Sequence, residues 1–127
     1  MTRVPVADDR ALVLSAIEAL LRDLFDVVAM VSDGRAALQA TLELEPDLVV
    51  LDISMPGMSG IEVARELKQR ASKAKIVFLT VHEDSDILAT CLSEGLGNVV
   101  KVFMDSDLIP AMNEALAGRV FVSRFSK

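Results

Sequence analysis

Leu48-Val49-Val50-Leu51 is a run of branched apolar residues that stops at an acid, Asp52, with the turn pair Pro56-Gly57 a few residues on. No polar residue occupies alternate positions, so the run reads as a strand buried on both faces. Asp52 is then the first polar side chain past the buried strand. In a doubly wound sheet that place, just outside the carboxyl ends of the strands, is where ligands bind.

The rest of the chain repeats this grammar, with short apolar runs alternating with longer amphipathic ones. Val4 to Ala7, Val27 to Val31, Leu48 to Asp52, Ile76 to Thr80 and Val99 to Val102 read as strands. Between and after them, Arg10 to Asp23, a stretch through Leu44, Met58 to Ala71, Asp84 to Glu94 and Ser106 to Ala117 carry apolar residues at helical spacing. Ser32-Asp33-Gly34 supplies cap chemistry for the second helix, and Gly118 stops the fifth. On this reading Pro110 falls in the first turn of the fifth helix, where a missing N–H costs little. Strands each followed by a helix imply a parallel sheet with helices on both faces, an α/β fold. Periodicity leaves the strand order open. Pro5 lies within the first strand, which calls for either a local distortion or a strand starting after it.

Composition narrows the function. A chain of 127 residues suits one domain with a single sizeable core. A formal charge of −6 argues against a nucleic-acid surface, because phosphate binding needs clustered Lys and Arg. No apolar run approaches the length of a membrane span and the first residues lack a signal-peptide core, so the expected compartment is the cytoplasm and no membrane partner is expected. The single cysteine, Cys91, reads as a small buried hydrophobe.

Placed on this scaffold, the polar residues form a constellation. Asp8 and Asp9 follow the first strand, Asp52 ends the third, Thr80 ends the fourth and Lys101 lies at the end of the fifth. All can share one crevice at the carboxyl edge. Carboxylates held together repel unless a cation intervenes, and hard oxygen ligands suit Mg2+. A carboxylate there can attack phosphorus, while a hydroxyl and an ammonium hold the oxygens of a transferred phosphoryl group. Taken singly each residue has a plainer role: Asp8 and Asp9 as helix-capping acids, Asp52 as a turn former, Thr80 as a strand end, Lys101 as a solvated charge. Their conjunction at four strand ends outweighs those roles.

At these residues the chain resembles the receiver domain of bacterial two-component response regulators. The resemblance is carried by Asp8-Asp9, by Leu51-Asp52 through Met58-Ser59-Gly60, by Phe78-Leu79-Thr80 and by Val99-Val100-Lys101, in order over essentially the whole chain. The closing stretch from Ser106 to Ser123 further resembles the NarL/FixJ-type subfamily, whose receivers precede a helix-turn-helix (LuxR-type) output domain. The resemblance implies a flavodoxin-like five-stranded parallel sheet of order 2-1-3-4-5 with five helices. It implies a receiver over 1–119, with 120–127 a tail or the start of a linker to an output domain, through which alone DNA would be bound. Asp52 would be the phosphoacceptor and Asp8, Asp9, Asp52 and the backbone carbonyl of Ser54 the Mg2+ ligands. Thr80 and Lys101 would contact the phosphoryl group. A sensor histidine kinase would be the donor. Self-phosphorylation and autodephosphorylation would be the only chemistry, and the face of the fourth helix, fifth strand and fifth helix would switch. Homodimers would use that face or the one formed by the first and fifth helices.

Three positions bear on switching. Where receivers commonly carry an aromatic residue shortly before the lysine, this chain has Asn98; after the lysine it has Val102, for which a trans peptide bond is expected. His82, the only histidine, is expected to be a partly exposed loop residue affecting water access to Asp52. Val102-Phe103-Met104 are either buried or a contact patch. Two other readings follow: a receiver-like interaction module with weak or lost switching, and a Mg2+-dependent phosphohydrolase. The second is disfavoured because Ser54 stands where such an enzyme needs an acid. A dinucleotide site is weaker still, because no Gly-rich loop follows the first strand.

Overall fold

In the computed structural model, which describes residues 1–81 and 85–123, each apolar run is a strand and each amphipathic run a helix. The order is β1 (Arg3–Ala7), α1 (Ala11–Leu21), β2 (Asp26–Val31), α2 (Gly34–Leu44), β3 (Leu48–Asp52), α3 (Gly60–Gln69), β4 (Lys75–Thr80), α4 (Ser85–Glu94) and β5 (Gly97–Val100). A 3-10 turn (Lys101–Phe103), α5 (Met104–Leu116) and β6 (Phe121–Val122) complete it. The strands are parallel and lie in the order β2-β1-β3-β4-β5-β6. The flavodoxin-like sheet is therefore as anticipated, except that it has six strands instead of five. Phe121–Val122 escapes a periodicity search because two residues carry no period.

Two apolar layers sandwich the sheet. On one side α1 and α5 bury Ile17, Leu21, Leu108 and Met112 against Val50 and Val77. On the other α2, α3 and α4 bury Ala37, Leu67 and Cys91 against Val49, Leu51 and Phe78. Every residue of β3 is buried, as its unbroken apolar run requires. Burying β3 fixes where Asp52 emerges, because the strand has no freedom to slip without moving its whole side-chain set to the wrong layer.

Local chemistry sets the element ends. Asp33 caps α2 by accepting the N–H of Ala36 at 2.8 Å. Ser59 and Glu62 form a reciprocal capping box, so α3 starts at Gly60 and not at Met58. After α5 the N–H of Arg119 reaches the carbonyl of Glu114 and that of Gly118 reaches Ala115, with Gly118 at φ +78. This double closure turns the chain back along β5, where β6 pairs.

Two further positions differ from or resolve the sequence reading. Helix α5 begins at Met104, so Pro110 lies beyond its first turn and interrupts the helix hydrogen bonding that would reach back to Ser106. Pro5 stays within β1, and the pairing of β1 with β2 shifts register between Val4 and Pro5. The local distortion is thus the alternative realised, placed just ahead of the Asp8-Asp9 loop.

Candidate functional site

Four strand ends converge as the sequence predicts. Asp8 follows β1 and is fully buried, Asp52 closes β3 at 3% exposure, Thr80 closes β4 at 3%, and Lys101 is the first residue after β5. Asp9 is exposed. Oxygens of Asp8, Asp9 and Asp52 lie within 4.8 Å of one another. A cavity of about 100 Å³ opens over them, lined by Asp9, Arg10, Asp52, Ser54, Thr80 and Lys101. Arg10 is a lining residue that sequence reasoning did not single out; its place directly after Asp8-Asp9 was the available signal.

Lys101 holds the acids together. Its Nζ lies 2.6 Å from Oδ2 of Asp8 and 3.2 Å from Oδ1 of Asp52, with little of the lysine side chain exposed. Asp8 Oδ1 accepts the N–H of Arg10 at 2.9 Å, which ties the loop before α1 to the carboxylate. Oδ2 of the same group takes no well-directed hydrogen bond among the described residues, and the charge of Lys101 compensates it. The Asp52 carboxyl is pushed up to about 6, chiefly by burial and then by the negative charge of Asp8. Lys101 and the Ser54 backbone hydrogen bond pull in the opposite direction without cancelling these effects. The geometry therefore gathers oxygen donors and one cation around a carboxylate that burial has made unusually basic.

Gly60 shapes the floor of this site. A Cβ there would run into the carbonyl oxygen of Asp52, and the Gly60 N–H bonds the carbonyl of Ile53 at 2.8 Å. Only a glycine lets the start of α3 approach the end of β3 so closely. The sequence carried it as part of a motif, without its steric reason.

The three positions singled out for switching fall differently. Asn98 is 1% exposed in β5, in register with Phe78, and its Oδ1 has no hydrogen-bond partner among the described residues. Val99 packs into the α1/α5 layer, so its neighbour Asn98 points the other way, toward the α4 side of the sheet. Val102 lies in the 3-10 turn, not in a strand, and the residue is 79% exposed. The peptide bond before it is trans. Of the apolar triplet, Val102 is thus outward and Met104 buried. His82 lies outside the described residues.

Fold and site together define a flavodoxin-like α/β domain whose functional edge is an acidic pocket clamped by a lysine. The chain belongs to the response regulator receiver domain family, which matches residues 4–113, and is of the NarL/FixJ type within two-component signalling. It is 33% identical over 124 residues to the oxygen regulatory protein NreC of Staphylococcus epidermidis, covering 94% of this chain and 57% of that protein. It is 30% identical over 119 residues to the nitrate/nitrite response regulator NarL of Escherichia coli, covering 91% of this chain and 55% of that one. The chain spans somewhat over half the length of these curated relatives. Among solved structures, a LuxR-family two-component response regulator from Aurantimonas superposes with a TM-score of 0.89 at 30% identity, covering 95% of this chain and 89% of that one. Among the described residues no helix is long and apolar enough to cross a membrane.

Proposed function

We propose that this domain accepts a phosphoryl group on Asp52 from the phosphohistidine of a sensor histidine kinase and thereby changes the surface it offers to partners. The observation that carries the reading is the grouping of Asp8, Asp9 and Asp52 with Lys101 at 2.6 and 3.2 Å from two of them. In the transfer an Asp52 oxygen forms the new P–O bond as the P–N bond to the imidazole breaks, the leaving imidazole keeping the electron pair. Lys101 then finds a phosphoryl oxygen as partner for its charge, and the Thr80 hydroxyl donates to another.

The acidic group fits a divalent cation. Hard carboxylate oxygens at mutual distances within 4.8 Å, one of them buried without a hydrogen bond, are the donor set Mg2+ takes. Asp8, Asp9, Asp52 and the Ser54 carbonyl would hold it. When bound it supplies charge neutralisation for the incoming phosphate. The chain's own residues do the rest: Asp8 and the Arg10 N–H fix the loop, Gly60 sets the height of Asp52, and Lys101 bridges.

The chemistry is then confined to phosphorylation and its reversal, since Ser54 offers no second carboxylate for turnover of a substrate. Residues 1–119 form the receiver unit proper, and the segment that follows is docked on it through β6, which pairs with β5. DNA contact is left to an output domain, and homodimers form through the α4-β5-α5 or α1-α5 faces in the cytoplasm. Incubation with Mg2+ and acetyl phosphate, followed by intact mass, tests the reading: one added phosphoryl group in the wild type and none in Asp52→Asn.

A second reading has its own observation. Asn98, buried with an oxygen that has no partner among the described residues, holds the position where receivers commonly carry an aromatic ring. It favours an interaction module in which phosphorylation leaves the α4-β5-α5 face unchanged. A phosphorylation-dependent dimer in sedimentation rules this out.

A further inference from the structure

The hydroxyl of Ser123, directly after the short strand β6, reaches the end of β5 beside the acidic pocket. Along the free side of β5 the carbonyls of Leu96 and Asn98 accept the N–H groups of Phe121 and Ser123, at 3.0 and 2.9 Å. The next group on that side, the N–H of Val100, has no backbone carbonyl from β6 and instead donates to Oγ of Ser123 at 3.0 Å. The same hydroxyl donates to Oδ2 of Asp107 on α5 at 2.7 Å, and Ser123 is 2% exposed. Asp107 is in turn held by the Ser106 hydroxyl at 3.0 Å. Val100 is the residue before Lys101 and pairs with Thr80 across the sheet. One buried side chain therefore joins β6, α5 and the strand end that aims the lysine.

We infer that Ser123 is a positioning residue for Lys101, and that docking of β6 on β5 and ligand binding at the acidic pocket are coupled through it. The physical basis is specific. The Val100 N–H belongs to the Val99–Val100 peptide, the last before the chain enters the turn Lys101–Phe103, and that turn has no side-chain cap at Val100, so the hydrogen bond to Ser123 holds this peptide from the β6 side and with it the point from which Lys101 departs. When Oγ is withdrawn, the Val100 N–H must find water or rotate, and Lys101 moves with it. Coupling of this kind is reciprocal: whatever draws Lys101 from Asp8 and Asp52 toward a bound phosphoryl group loads the Ser123 contact and loosens β6. This consequence rests on the phosphoacceptor reading of Asp52, whereas the placement of Lys101 by Ser123 does not. It gives the segment after α5 a route to the site that bypasses Asn98.

The test compares wild type, Ser123→Ala, Ser123→Thr and, as a remote control, Ser72→Ala, whose hydroxyl takes the Ala74 N–H near the start of β4. Two measurements are made on each: amide hydrogen exchange at Val100 and Phe121, and affinity for Mg2+ alone by NMR titration. In Ser123→Ala, exchange at both amides becomes about tenfold faster, and the Mg2+ dissociation constant changes about fivefold or more. Ser123→Thr restores both and Ser72→Ala alters neither. Faster exchange with unchanged Mg2+ affinity would overturn the inference, because Ser123 would then merely hold the tail. If Ser123→Ala fails to fold, Asp107→Asn, which removes the charge that Ser123 donates to, is read by the same two criteria. If the wild type takes no phosphate from acetyl phosphate but the Mg2+ affinity still moves, the phosphoacceptor reading fails and the placement of Lys101 by Ser123 stands.

Discussion

The ammonium of Lys101 lies 2.6 Å from Oδ2 of Asp8, a carboxylate with no solvent exposure. That contact joins the end of β1 to the end of β5 across the strands between them, and it makes Lys101 the counter-charge for a buried acidic group. Lys101→Met leaves Asp8 and Asp52 uncompensated. Urea unfolding at neutral pH in EDTA should show a loss of about 3 kcal/mol, the scale for breaking a buried ion pair by removing one partner. The loss should shrink as pH falls through about 6 and Asp52 takes up a proton, and Mg2+ should recover part of it by mass action.

Asp52 predicts the opposite sign for its own removal. Its folded-state pKa of about 6 stands above the ordinary 3.8, so between those values the folded protein binds more protons than the unfolded chain. The contribution to stability is fully present below about pH 4 and is lost as pH rises through 6. With each pKa unit worth about 1.4 kcal/mol, Asp52→Asn should be more stable than the wild type by about 3 kcal/mol at pH 7.5 without Mg2+. The two proteins should converge near pH 4. A denaturation series across that range checks both the sign and the window.

Gly60 is predicted to be intolerant for a steric reason. A Cβ there meets the carbonyl of Asp52, which is backbone and cannot rotate away. Gly60→Ala should cost about 3 kcal/mol or more, by forcing α3 from the end of β3. Thermal unfolding checks the loss, and backbone amide shifts at Asp52 and Ile53 locate it.

Much of this was legible in the chain. The unbroken run Leu48 to Leu51 dictates a strand covered on both faces, and that places Asp52 at the functional edge without further information. Asp8, Thr80 and Lys101 followed from the same logic, because each directly ends or follows an apolar run. What the runs could not carry was pairing. Periodicity puts a lysine at the same edge as three acids but does not say that it sits closer to Asp8 than to Asp52. Phe121–Val122 is too short to show a period, and Ser123 looks like any polar residue after a helix until its hydroxyl is seen buried between β5 and α5. Gly60 was visible as a letter in a motif, while its role depends on a close approach of two backbones.

Asn98 is the position where sequence and structure agree that something is unusual. Its Oδ1 is buried with no partner among the described residues, a desolvation cost that no hydrogen bond from them offsets. Asn98→Leu, close in volume and apolar, should raise stability by about 1–2 kcal/mol. Chemical denaturation checks this, and an equal or lower stability would mean that the amide is satisfied in solution.

The proposed phosphoacceptor, Asp52, stands in a pocket built with Asp8, Asp9, Thr80 and Lys101. The most direct measurement is intact mass after incubation with acetyl phosphate, with Mg2+ and with EDTA, for the wild type and Asp52→Asn. The wild type should carry a single phosphoryl adduct with Mg2+, lost with EDTA and lost in Asp52→Asn. An unmodified wild type, or an adduct that persists in Asp52→Asn, would contradict that role for Asp52.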